Sequence, residues 1–279
     1  LKKLGNFDEA EALYNETLAN FETTKGPDHK DTLLCRGNLA GLWMDQKRFA
    51  KAEAQYFLVA KGLEALGEGS PEYLTALDNA ATALYYQQNF AECERVKRNV
   101  LAGFEKHCGV GHPSTLCCCS YIGPCLEKQG KEAEAEAMYR RAFDGAMKHP
   151  GMGSSHPKTA FFAMSLAKLL IKSRRAEDAI ELLTLAWNAR KACLGPGHRE
   201  TLAAFNKLCE AYSVLGRFDD VRALRAAAQR TLSGSGGAAA PEPAGVDPEW
   251  IASFVDMAGC DERTAAFYIQ GAVARGLGL

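Results

Sequence analysis

The chain has 279 residues, a formal net charge of −1, 47% hydrophobic residues and ten cysteines. Near-neutrality argues against a nucleic-acid partner, which needs a strong basic excess, and the apolar content argues against global disorder. No apolar run approaches the ~18 residues of a membrane span, and the opening LKKLGNF shows no secretory-signal pattern. The cysteines are scattered and partly adjacent, which fits a reduced, cytoplasmic setting better than a disulfide framework. The first residue is not Met, and the chain is expected to be a fragment of a longer protein.

Two markers recur along the chain. The first is an aromatic residue followed by an acidic, Ala-rich stretch: GNFDEAEALY, KRFAKAEAQY, QNFAECERVK, GKEAEAEAMY, RRAEDAIELL and GRFDDVRALR. Its third residues are Phe7, Phe49, Phe90, Glu132, Ala176 and Phe218, at spacings of 41, 42 or 44. The second marker lies between these: GPDHKDTL, GEGSPEYL, GVGHPSTL, GSSHPKTA and GPGHRETL, in register on Thr32, Tyr73, Thr115, Thr159 and Thr201. Both series share one two-residue insertion, near GMGSSHP.

In chain order the pattern predicts one unpaired helix and then five helix pairs, over residues 1–232. Eight residues past the Thr-type marker stand Ala40, Ala81, Gly123, Ala167 and Cys209; twenty past it stand Ala52, Cys93, Ala135, Ala179 and Val221. Small residues at fixed places on both helices let their backbones pack closely, and larger apolar residues flank them at helical spacing. Glycine-rich loops separate the pairs, and Pro71, Pro113 and Pro157 open helices. A single pair cannot bury its own face, so the pairs must stack. The expected fold class is all-α, a right-handed superhelical solenoid of antiparallel helix pairs.

Residues 107–125, HCGVGHPSTLCCCSYIGPC, suggest a metal site when taken alone. Consecutive side chains on a helix fan out by about 100° each, so Cys117, Cys118 and Cys119 cannot share one ion. The register makes Cys118, Cys119 and Cys125 core residues and places Cys117 near the inner face, where a reactive thiol is the alternative. His112 repeats as His29, His156 and His198 and is expected to cap or pack its loop. Pro124 falls inside a helix and predicts a kink. Residues 151–157 have the glycines of a phosphate loop but no preceding strand, and no nucleophile–base pair or HExxH helix is present. No enzyme, metal or cofactor is expected.

Residues 233–246 are rich in Gly, Ser, Ala and Pro and predict a flexible linker. In 247–279, Asp247 and Pro248 make a helix start. Trp250, Ile251, Phe254 and Val255 form an apolar stripe, Gly259 stops it, and Asp261 opens a second helix.

The repeat resembles the tetratricopeptide repeat, and its ~42-residue period, G-x-x-H-P-x-T loop and G-x-F-x-E-A-E-x-L-Y helix resemble the kinesin-light-chain type. The resemblance implies a non-catalytic adaptor whose first helices line a concave peptide groove. It places there Asn38; Asp78, Asn79 and Thr82; Ser120, Tyr121 and Lys128; Lys168 and Lys172; Asn206 and Lys207. Kinesin light chains carry L-N-N-L-A at this place, so Asn38, Asn79 and Asn206 are expected to bond a peptide backbone. Lys128, Lys168 and Lys172 favour an acidic peptide. Gly37, Asp78, Ser120, Met164 and Asn206 stand where a carboxylate-clamp lysine would be, which argues against that clamp. The last segment resembles a partial UBA-like domain. Its loop, Met257-Ala258-Gly259-Cys260, departs from the usual M-G-F or M-G-Y, and ubiquitin binding through the tail is the alternative function.

Overall fold

A computed structural model of the chain describes residues 7–64 and 70–234. These form eleven helices and, among the described residues, no strand: α1 Phe7–Thr24, α2 Lys30–Asp45, α3 Phe49–Glu64, α4 Pro71–Tyr86, α5 Phe90–Cys108, α6 Pro113–Lys128, α7 Glu132–Lys148, α8 Pro157–Lys172, α9 Ala176–Leu194, α10 Arg199–Val214 and α11 Phe218–Gly234. The fold is all-helical, as the periodicity predicts. The linker beyond Gly234 and the UBA-like segment lie outside the described residues.

Each first helix of a pair begins at a cap the sequence repeats. His29, His112, His156 and His198 each accept, at Nδ1, the backbone N–H two residues on, at 3.1–3.2 Å. This satisfies one of the helix's orphan donors. Ser70 does the same for the Tyr73 N–H at α4. The Thr marker closes the loop from the other side: Thr32, Thr115 and Thr201 hydroxyls donate to the carbonyls of Gly26, Gly109 and Gly195 at 2.7–2.8 Å. The Thr159 hydroxyl, which follows the expanded loop, is buried without a partner. The loop histidines are caps.

Within a pair the chain reverses through one left-handed residue. Lys47, Gln88 and Arg174 have φ of 60–63°, and Gly130 and Gly216 take the same place at 74° and 70°. The next residue's N–H reaches back to a carbonyl five positions earlier, as Arg48 to Trp43 and Asn89 to Leu84 do. This bond satisfies the end of the first helix and makes the second run antiparallel to it.

The described residues divide into two compact units, the first ending at Leu169 and the second beginning at Leu170. In the first, successive helices from α1 to α7 pack on one another; in the second, α9, α10 and α11 do. All ten small marker positions are buried. Leu33, Leu74 and Leu116 each sit over a glycine of the pair's second helix, Gly62, Gly103 and Gly145. A Cβ added there would lie 2.4–2.6 Å from a leucine methyl carbon. That contact explains why residues costly in a helix interior recur at this place. Helix α6 is continuous through Pro124.

Candidate functional site

In the first unit the site is the face made by α2, α4, α6 and the first turns of α8. Between α2 and α4 runs a groove of about 550 Å³, lined on one side by Leu34, Gly37, Asn38 and Gly41 and on the other by Pro71, Glu72, Thr75 and Asn79. The structure therefore brings Asn38 and Asn79 to one groove. Asn38 is exposed and Asn79 half-buried, and neither amide is engaged by another described residue. A second groove, about 630 Å³, lies between α1 and α2 and shares Tyr14, Leu34 and Asn38 with the first.

Further along the face the chemistry changes. Asp78, a predicted groove residue, accepts a 2.7 Å bond from Lys97 Nζ. Lys97 is only 4% exposed and belongs to α5. It occupies the place held in other second helices by Tyr14, Tyr56 and Tyr139. Burial opposes its charge, but the Asp78 carboxylate outweighs this and holds its pKa above the usual lysine value. Its ammonium also lies 5.6 Å from the centre of the Tyr121 ring. Tyr121 meets Phe161 edge-on at 6.0 Å, and both rings are exposed. Thr82 turns its hydroxyl back to the Asp78 carbonyl at 2.9 Å.

Ser120 is not a groove residue. It is 2% exposed, and its hydroxyl has no partner. Its place follows the marker by five residues, where Gly37 and Asp78 remain half-exposed; α6 instead turns this position into the core. Lys128 and Lys168 are exposed. Lys172, Asn206 and Lys207 belong to the second unit, where Lys207 bonds Glu210 at 2.6 Å.

Cys118, Cys119 and Cys125 are buried, as the register predicts. Cys117 is half-buried. Burial pushes its thiol above the ordinary value, against the nearby Lys158, which disfavours a reactive thiolate. Among the described residues, no three His, Cys, Asp or Glu side chains converge as metal ligands.

A set of bridges between pairs went unseen in the sequence. Gln46, Gln87 and Gln129, at the ends of α2, α4 and α6, donate to Glu11, Glu53 and Glu94 of the preceding second helices. Glu94 is the most enclosed. Burial raises its pKa, but bonds from Lys131, Arg98 and Gln129 outweigh that and lower it to about 2. The recurring second glutamate of E-A-E-x-L-Y was the available signal.

Two family models, both described as tetratricopeptide repeat, match residues 1–56 and 74–114. Together they cover about a third of the chain. No curated protein matches the chain. Among solved structures, it resembles a putative kinesin light chain of Podosopora anserina with nearly identical TPR-like repeats: TM-score 0.61, 19% identity, 74% of this chain and 97% of that one. It also resembles BtubC (BKLC) from P. vanneervenii: TM-score 0.68, 14% identity, 87% and 97% covered. A third is a Rap protein complexed with competence and sporulation factor: TM-score 0.54, 13% identity, 99% and 72% covered. At such identities the likeness is one of fold. The tetratricopeptide fold is a scaffold typical of protein-interaction adaptors.

Proposed function

We propose that the chain is a non-catalytic adaptor that holds an extended peptide along the face of α2, α4 and α6. The observation that carries this reading is the pair of unengaged amides, Asn38 and Asn79, lining one groove. An amide offers two donors and an acceptor, which suits it to a peptide backbone in any sequence. Leu34 supplies exposed apolar surface beside them. The Rap neighbour, solved in complex with competence and sporulation factor, supports the use of this fold as a reader of other molecules. Lys128 and Lys168 favour acidic residues in the partner, mainly by steering its approach.

Peptide-display selection on the whole chain, run beside Asn38→Ala/Asn79→Ala, tests the proposal. A consensus motif that vanishes in the double variant is the expected result. Both amides are unengaged and Ala is a strong helix former, so the variant should fold. No enrichment, or a motif indifferent to the two changes, would remove the groove from consideration.

A further inference from the structure

Helices α5 and α6 bring two core cysteines together. Cys93 Sγ lies 2.8 Å from Cys125 Sγ, closer than unbonded sulfur atoms pack, and both residues are at most 1% exposed. The repeat explains the approach. The corresponding two places hold Ala52 and Ala83 one pair earlier, and Ala179 and Ala211 in the second unit. All four alanines are fully buried. Small residues there let a second helix meet the next first helix closely. A disulfide needs its two Cβ atoms only ~3.8 Å apart, a separation suited to such a small-on-small contact.

A fully buried pair needs a way to meet a reagent, and α6 has one. Pro124, beside Cys125, has no N–H to give the Ser120 carbonyl. The Ser120 hydroxyl is buried and unpartnered. Helix α6 is thus least secured in the turn leading to Cys125, where local opening costs least. Either sulfur can donate the hydrogen bond the two share, and opening of this turn bares Cys125 first, which makes it the attacking thiol.

We propose that Cys93 and Cys125 are a reversible disulfide site joining α5 to α6, oxidised by exchange with a low-molecular-weight disulfide. The Cys125 thiolate attacks one sulfur of that disulfide, whose S–S bond breaks and releases one small thiolate, which takes up a proton. Cys93 then gives up its proton and attacks Cys125 Sγ, expelling the second small thiolate. Two protein thiols and one small disulfide become one protein disulfide and two small thiols. This site is independent of the peptide groove and goes beyond the adaptor reading.

The test equilibrates the full chain in oxidised and reduced glutathione, blocks free thiols by alkylation, and maps the digest by tandem mass spectrometry. A peptide bridged between Cys93 and Cys125 is expected, two hydrogens lighter than its dithiol form. It should be lost in Cys93→Ala, which places at 93 the alanine that Ala52 and Ala135 supply elsewhere. Pro124→Ala restores the missing N–H and should slow bridging several-fold. Full alkylation of both cysteines in the most oxidising buffer would overturn the proposal. So would bridges confined to Cys117, Cys118 and Cys119, or glutathione adducts confined to the exposed Cys108 and Cys193. An unchanged bridging rate in Pro124→Ala would overturn the opening at α6.

Discussion

The second helices α3 and α5 hold the same place in successive pairs and fill it in opposite ways. In α3 the place is Tyr56, buried in an apolar cluster with Leu39, Ala40, Leu42 and Ala52. In α5 it is Lys97, equally buried, whose charge is met by Asp78. The apolar version is self-sufficient, because removing ring surface from water stabilises the contact directly. The ionic version stands only while both partners are present, because taking an ammonium out of water costs several kcal/mol unless it is paired. The repeat thus fixes where a side chain goes but not the kind of force that holds it there.

Breaking the ionic version should have the largest effect. Asp78→Asn leaves Lys97 buried and uncompensated, and a loss of about 3–5 kcal/mol is expected in denaturant unfolding. Adding Lys97→Tyr to that variant restores the α3 solution and should recover most of the loss. If Asp78→Asn alone is neutral, Lys97 reaches solvent and the contrast fails. A smaller effect is expected where α7 restores the tyrosine. Tyr139 packs its ring on Gly123 and donates its hydroxyl to Glu127 at 2.7 Å. The Gly123 place holds Ala40 and Ala81 in earlier pairs, yet a Cβ at 123 would stand 2.2 Å from the ring. Gly123→Ala should therefore destabilise by about 1–3 kcal/mol through overpacking, although Ala is the better helix residue. A rise in melting temperature would show that the ring moves aside freely. Least of all, and of opposite sign, Gln88→Gly should stabilise by up to about 1 kcal/mol. It relieves a left-handed φ of 63° that glycine tolerates without strain. Gly130→Gln should destabilise to a similar extent, and equal melting temperatures for both variants would refute the argument.

The helices, their caps and the buried small residues were legible in the sequence because each is set locally and repeated in register. His112 could be assigned as a cap because three other loops carry the same residue at the same place. Periodicity also placed Cys118, Cys119 and Cys125 in the core, where they are buried. It could not show that Asp78 pairs with a buried lysine, because Lys97 lies nineteen residues away on another helix. Ser120 escaped for a related reason. Its place is half-exposed in α2 and α4, and only the packing of α6 closes over it. The Gln–Glu bridges span 34 or 35 residues, a separation at which a side-chain bond leaves no periodic trace of its own. Asn38 and Asn79 were found through family resemblance, and the structure adds that they share a groove.

The glutamine–glutamate bridges also bear on how such a chain can change its length. Each of the three bridges takes its acid from one helix pair and its amide from the next, so the pairs α2–α3 and α4–α5 each bring half of two junctions, whereas later in the chain the amide's place is held by Ser173 and Leu215. Duplicating or excising a whole 41- or 42-residue period rejoins an acid to an amide and leaves the seam chemically unchanged. A cut at any other period strands one partner. Lengthening or shortening this part of the chain in frame thus needs no new contact at the join.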